Sequence, residues 1–174
     1  MALTLHLLRH AKSSWNEPGR DDHDRVLNAR GRKAAKAIGR FLAREGPLPT
    51  RVLCSTAARA RETWERVQPS LEAAGDVPAV DFERRLYLAT AGELLARVQA
   101  CADEPCLLLV GHNPGVEDLA RGLAGSGDDD AWHRLREKYP TGGLATLAFD
   151  VARWSDAAVS GGALVRFVAP RDLA

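Results

Sequence analysis

Two arginine and two histidine side chains stand where apolar segments of the sequence end, and their chemistry suits a phosphoryl group. Arg9 and His10 follow one such segment, His112 follows another, and Arg59 lies one helical turn beyond a third. A phosphoryl group carries three equatorial oxygens that need donors, and each arginine offers a planar fork of permanent charge. A neutral imidazole can attack phosphorus, and a second imidazole can donate to a phosphoryl oxygen in the transition state.

These four residues predict a division of roles. His10 is the candidate nucleophile, because nearby arginines lower the pKa of an imidazole and keep it unprotonated. Arg9 and Arg59 would bind the phosphoryl oxygens, with roughly 1.5–3 kcal/mol for each charge-assisted hydrogen bond. Each residue also has an ordinary structural interpretation: an Arg-His pair can be a surface accident, Arg59 can solvate a helix face, and His112 can cap a turn. Their common position after apolar segments is what favours a site.

The elements that must position these residues follow from apolar runs and turn signals. Buried strands are predicted at residues 4–8, 51–55 and 106–110, with closing strands, antiparallel at one edge, at 144–149 and 164–168. Helices are predicted at 29–44, 57–73, 92–102 and 115–124, and a polar loop at 125–130. Asn28 is the predicted N-cap of the first helix.

Strand–helix alternation predicts one α/β domain over residues 1–174, with a mainly parallel sheet covered by helices. In such sheets ligands bind at the carboxyl ends of the strands. The sequence leaves the strand order open. If the three buried strands are neighbours, both arginines and both histidines converge at one sheet edge.

Composition limits the classes of function. The chain has 174 residues and a net charge of +1, so it shows no global field typical of nucleic-acid or membrane binding. Three cysteines without a CxxC pair disfavour a disulfide framework or a zinc site. The apolar start, residues 1–8, is too short for a signal peptide. We therefore expect a cytoplasmic protein without metal or other cofactor.

Four motifs in order resemble the histidine phosphatase superfamily, which has the phosphoglycerate-mutase-like fold. Residues 7–13 (LLRHAKS) resemble its Arg-His-Gly motif, with Ala11 in the usual glycine position. Residues 24–31 (DRVLNARG) resemble its Leu-Thr-x-x-Gly segment, and residues 55–63 (STAARARET) its Ser-x-x-x-Arg-Ala-x-x-Thr segment. Residues 110–113 (VGHN) resemble its second-histidine motif, and the variants are those of the small SixA-like phosphohistidine phosphatase branch.

The resemblance implies the phosphoglycerate-mutase-like fold, with helices on both sheet faces. It implies that His10 is the nucleophile and that Arg9, Arg59 and His112 form the phosphate pocket.

Four more residues beside these motifs are candidate substrate contacts. Arg25 is one, with a loop-to-helix salt bridge as its alternative. Asn113 orients the pocket or caps the following helix, and the cap is favoured. Lys12 and Ser13 border the nucleophile and contact either substrate or bulk solvent.

The sequence departs from the family in its general acid. Relatives that cleave alcohol esters use a carboxylate to protonate the leaving oxygen. Asn113 stands where acid-phosphatase relatives have Asp, and Glu83 and Glu93 lie in the mutase region without a matching motif. Imidazole leaves with less help than an alkoxide, so the missing acid favours a phosphohistidine substrate.

The partner is therefore predicted to be a phosphorylated protein with a phosphohistidine domain. A small phosphorylated metabolite is the alternative, and a non-catalytic phosphate-binding scaffold is a third interpretation. The chain has no G-x-S-x-G segment of a serine hydrolase. Asp21, Asp22, His23 and Asp24 are contiguous in a loop, which favours solvation over metal ligation.

Overall fold

The computed structural model describes residues 2–173, and a seven-stranded sheet forms its centre. Met1 and Ala174, the two ends of the predicted 1–174 domain, lie outside the described residues. The strands are β1 (Leu3–Arg9), β2 (Arg51–Ser55), β3 (Ala79–Glu83), β4 (Cys106–Gly111), β5 (Ala124–Gly127), β6 (Leu144–Phe149) and β7 (Gly162–Val168). Their order across the sheet is β3-β2-β4-β1-β6-β7-β5. Only β6 runs antiparallel to its neighbours, so the fold is α/β with a mostly parallel sheet, as predicted.

Five α-helices connect the strands. They are α1 (Ala29–Glu45), α2 (Ala58–Ala74), α3 (Ala91–Gln99), α4 (Gly115–Leu123) and α5 (Asp129–Glu137). Asn28 caps α1, as predicted, because its side chain accepts from the Gly31 amide at 2.8 Å. The helix ends at Gly46, whose positive φ of 59° suits glycine.

Helices cover both faces of the sheet, because adjacent strand residues alternate between two cores. Leu7, Leu107 and Leu109 pack with residues of α3, α4 and α5. Leu8 and Val110 point the other way and pack with residues of α1 and α2. Such continuous apolar runs are typical of parallel strands buried on both sides.

The pairing of β2, β4 and β1 brings three carboxyl ends together. Arg9 of β1 is level with Gly111 of β4, and Cys54 of β2 is level with Val110. The His10 amide continues the ladder by donating to the Gly111 carbonyl at 2.9 Å. The three buried strands are therefore neighbours in the sheet, a point that the sequence left open.

Two predicted features of the sheet are wrong. The predicted loop at 125–130 contains strand β5, which pairs with β7 at the sheet edge. Gly127 has a φ of 139° and lies so close to Leu164 that any side chain would clash, so backbone proximity and not an apolar pattern makes this strand. As a result β7, a predicted closing strand, lies one strand in from that edge, while the antiparallel strand β6 lies between β1 and β7.

Candidate active site

The three strand ends hold both predicted histidines and Arg59 in one buried cluster. The rings of His10 and His112 have centroids 5.1 Å apart. Arg59, in the first turn of α2, places its Nε 3.3 Å from Nε2 of His10. All three side chains are almost fully buried. The convergence predicted from the sequence is therefore present for these three of the four residues.

His10 is held as a neutral imidazole with a defined tautomer. Its Nδ1 lies 2.8 Å from the Ala11 carbonyl oxygen, which can only accept, so the ring proton is on Nδ1. Nε2 therefore carries the lone pair that faces Arg59. Burial lowers the pKa of His10 to about 4, and the charges of Arg59, Arg9 and Arg25 act in the same direction against the Ala11 hydrogen bond.

Ser55 orients His112. Its Oγ lies 2.8 Å from Nε2 of His112 and accepts a hydrogen bond from the Ala57 amide at 3.2 Å. When the hydroxyl donates its hydrogen to Nε2, the ring proton of His112 lies on Nδ1. Among the described residues this buried Nδ1 has no hydrogen-bond partner. Burial, followed by His10 and Arg59, lowers the pKa of His112 to about 3.

Asp22 fixes the Arg59 guanidinium, a contact that the sequence did not indicate. Nη1 of Arg59 donates to the Asp22 carbonyl at 2.6 Å, and Nη2 donates to Oδ2 at 2.9 Å. The Tyr87 hydroxyl donates to the same Oδ2. Burial alone would raise the pKa of Asp22, but the hydrogen bonds from Tyr87 and Arg59 outweigh burial and hold it far below its usual range. Of the five N–H groups of Arg59, two remain for a further acceptor.

Arg25 lies at the same carboxylate but on the outer side. Its Nε donates to Oδ1 of Asp22 at 3.1 Å, and its Nη1 donates to Oγ of Ser13 at 2.6 Å. The guanidinium carbon lies 3.5 Å from the ring centroid of Trp15, a cation–π contact. Ser13 is buried and contacts Arg25, so it positions an arginine of the cluster.

Arg9 and Asn113 meet at one backbone carbonyl. Nη1 of Arg9 donates to the Tyr139 carbonyl at 2.9 Å, and Nδ2 of Asn113 donates to it at 3.2 Å. Among the described residues, Nε of Arg9 is buried without a partner. Oδ1 of Asn113 accepts from the Glu117 amide in the first turn of α4, which is the favoured capping role.

The remaining sequence candidates lie apart from the buried cluster. The Lys12 side chain is exposed, and its backbone carbonyl accepts from the Asn28 amide. Glu83 forms ion pairs with Arg85 and Arg97, and Glu93 forms the capping box at the start of α3. The structure therefore engages both glutamates in other contacts.

Three residues of the cluster were missed as functional candidates. Ser55 was identified only as a strand end, although its spacing of four from Arg59 belongs to the family motif. Asp22 was assigned to a solvated loop, but its carboxylate contacts two arginines and Tyr87. Tyr87 stands 5.3 Å, centroid to centroid, from His112 and had no sequence signal.

Two kinds of feature, a metal-ligating cluster and a membrane-spanning helix, are not found among the described residues. Within residues 2–173, no group of three or more His, Cys, Asp or Glu side chains is arranged to hold a metal ion. In the same range, no helix has the length and apolar character needed to cross a membrane.

Comparison with known proteins gives consistent matches. The sequence pattern of the Histidine phosphatase superfamily (branch 1) matches residues 5–86. An uncharacterized protein of Mycobacterium leprae (strain TN) is 38% identical over 169 residues, which cover 94% of this chain and 100% of that protein.

Two solved structures resemble the whole chain. One, provisionally described as the phosphohistidine phosphatase SixA of Nakamurella multipartitia, is 34% identical, with a TM-score of 0.81 and coverage of 98% of this chain and 97% of that one. Another, with the same provisional description, is from Agrobacterium tumefaciens. It is 32% identical, with a TM-score of 0.79 and coverage of 97% and 98%.

Proposed function

Because the chain belongs to the histidine phosphatase superfamily (branch 1), we propose that it is a phosphohistidine phosphatase with His10 as its nucleophile. The observation that carries the proposal is the buried, neutral His10, whose Nε2 lone pair lies 3.3 Å from Nε of Arg59. The provisional descriptions of both similar structures support the choice of phosphohistidine as substrate.

The proposed reaction has two steps. In the first, Nε2 of His10 attacks phosphorus, the P–N bond to the substrate imidazole breaks, and that imidazole takes a proton from water. In the second, water attacks phosphorus, the bond to His10 breaks, and inorganic phosphate leaves. Both steps pass charge through the three equatorial oxygens, and in this proposal Arg59, Arg9 and Nδ1 of His112 stabilise that charge.

The positions of the glutamates favour a P–N substrate. Glu83 is held in ion pairs and Glu93 in a helix cap, so neither is available at the cluster to protonate a leaving alkoxide. An imidazole leaving group has less need of such an acid. We therefore place a protein phosphohistidine ahead of a sugar phosphate.

A substrate panel tests this function. Wild type, His10→Ala and His133→Ala would be assayed on a phosphohistidine protein, free phosphohistidine and common sugar phosphates. We expect phosphohistidine turnover by wild type and by His133→Ala, which removes an exposed imidazole of α5, and only background turnover by His10→Ala. A 32P label trapped on the wild type should be stable in alkali and absent from His10→Ala.

Two outcomes contradict the proposal. Turnover of sugar phosphates faster by orders of magnitude would assign the site to small phosphoesters. A label on a residue other than His10 would remove the proposed intermediate.

A further inference from the structure

Cationic residues are clustered on the exposed face of α1. The helix carries six Lys and Arg residues and one acidic residue, Glu45. Five of the six cationic residues are exposed: Arg30, Lys33, Lys36, Arg40 and Arg44. The whole chain has a net charge of only +1, so this helix differs in charge from the rest of the molecule.

Most of the cations of α1 lack an acidic neighbour within the chain. No carboxylate oxygen of the described residues lies within 4.0 Å of Arg30, Lys33, Lys36 or Arg40. Outside α1, four of the eight exposed arginines of the described residues are ion-paired: Arg20, Arg85, Arg121 and Arg153. A helix face that is only solvated would be expected to carry charges of both signs, because i,i+4 ion pairs stabilise a helix.

The cationic face begins where α1 contacts the loop that follows the nucleophile. The Asn28 amide donates to the Lys12 carbonyl at 3.0 Å, which fixes the start of α1 two residues from the nucleophile. Lys33, Lys36, Arg40 and Arg44 follow at spacings of three or four, which place them on one side of the helix. From Arg30 to Arg44 the charges extend over about 21 Å, at a rise of about 1.5 Å per residue.

An exposed aromatic ring lies in the same loop, five residues after the nucleophile. Trp15 is 76% exposed, and its ring is stacked against Arg25, which contacts Asp22 of the cluster. Tryptophan and arginine are both among the residue types enriched at the energetic hot spots of protein interfaces. The stack with Arg25 holds the ring in place before any partner binds.

We propose that the cationic face of α1, together with Trp15, is the docking surface for an acidic protein that carries the phosphohistidine. This inference rests on the proposed function and names the partner by its charge. Exposed Glu17, Asp21 and Asp24 lie in the loop between Trp15 and Arg25. They would repel a uniformly anionic nucleic acid or bilayer, but they can pair with basic groups on a mixed protein surface.

The test compares one charge reversal with two matched controls. Lys33→Glu, Lys33→Arg and Arg153→Glu would be assayed on a phosphorylated histidine phosphotransfer domain of net negative charge and on free phosphohistidine. Arg153 is exposed and lies outside α1, so Arg153→Glu makes the same charge change elsewhere. We expect Lys33→Glu to lower kcat/KM on the protein about five- to tenfold at low salt, while free phosphohistidine turnover is unchanged.

The controls and the salt dependence decide the outcome. Lys33→Arg and Arg153→Glu should match wild type, and the deficit of Lys33→Glu should shrink at high salt because the interaction is screened. Lys36→Glu provides a second variant if Lys33→Glu does not fold.

Equal rates on the protein for all variants would overturn the docking surface and leave the proposed function intact. The docking surface would also be overturned if Lys33→Glu lost binding to a DNA duplex or to anionic vesicles while its turnover of the phosphorylated protein was unchanged. Failure of wild type to hydrolyse either phosphohistidine substrate would contradict the proposed function itself.

Discussion

A single hydroxyl holds the ring of the second histidine. Ser55 accepts from the Ala57 amide and lies 2.8 Å from Nε2 of His112. Without the hydroxyl, Nε2 would need another partner in a site where unpaired polar atoms are costly. The serine therefore acts on a phosphoryl oxygen only through the imidazole, as a positioning residue.

We expect Ser55→Ala to lower kcat about tenfold with little change in KM, because one hydrogen bond orients a group that acts in the transition state. The same substitution made in His112→Ala should have little further effect on kcat. Steady-state kinetics of the two single variants and the double variant measure this coupling. Additive losses would show that Ser55 acts independently of His112.

At the residue scale, the sequence indicated the central side chains but not the residues that hold them. His10 and His112 stand directly after β1 and β4, so the pairing of these two strands brings the two rings together. Asp22 reaches Arg59 across a separation of 37 residues, from a loop that has no regular periodicity. Contacts of this kind depend on loop conformation, which neither spacing nor hydropathy encodes.

At the element scale, the start of α1 is packed directly against the loop that follows the nucleophile. A Cβ added at Gly31 would lie 2.1 Å from the Lys12 carbonyl oxygen, a backbone atom with little freedom to move. The glycine therefore allows the helix and the loop to approach closely. Asn28 adds a hydrogen bond between the same two segments.

Gly31→Ala should lower the free energy of unfolding by about 1–3 kcal/mol, because the clash must be relieved by moving α1 or the loop. Gly92→Ala in α3 is the matched control, since nothing lies within 4 Å of its added Cβ. There the change should stabilise by up to about 1 kcal/mol through helix propensity. Denaturant unfolding of both variants measures the difference, and equal effects would contradict the close packing.

The difference between apolar periodicity and close backbone approach explains which elements the sequence could predict. The predicted strands and helices with apolar periodicity are present, and most bounds differ by one to three residues. Strand β5 was missed because its segment, Ala-Gly-Ser-Gly, has no apolar alternation and pairs through close backbone approach. Because β5 was missed, β7 was expected at the sheet edge, which β5 occupies instead.

At the scale of the whole molecule, three buried histidines are kept neutral by the fold. Burial lowers the pKa of His6 to about 4, of His10 to about 4 and of His112 to about 3. His6 lies outside the cluster, with Nε2 2.9 Å from the Pro47 carbonyl and Nδ1 2.9 Å from the Thr146 hydroxyl. Both contacts are satisfied by a neutral ring.

We expect acid to destabilise the protein in a range set by these histidines. Below about pH 6.5 these histidines bind protons in the unfolded chain but not in the folded chain. The free energy of unfolding therefore falls as pH drops towards 4. Each histidine contributes at most about 1.4 kcal/mol per pH unit. For His6→Gln, the free energy of unfolding should depend on pH less steeply, by the contribution of one proton, which denaturant unfolding at several pH values measures. The exposed-site variant His133→Gln is the control and should keep the wild-type pH dependence. An unchanged pH dependence for His6→Gln would contradict this account.

The Asp22 carboxylate has a consequence for how the cluster would release its product. Because the chain tethers this anion beside Arg59, its effective concentration there is on the order of millimolar or higher. Inorganic phosphate, the product of the proposed reaction, would bind Arg59 beside a carboxylate of the same charge that the chain holds in place. If the proposed reaction is correct, product inhibition by phosphate would be weakened accordingly.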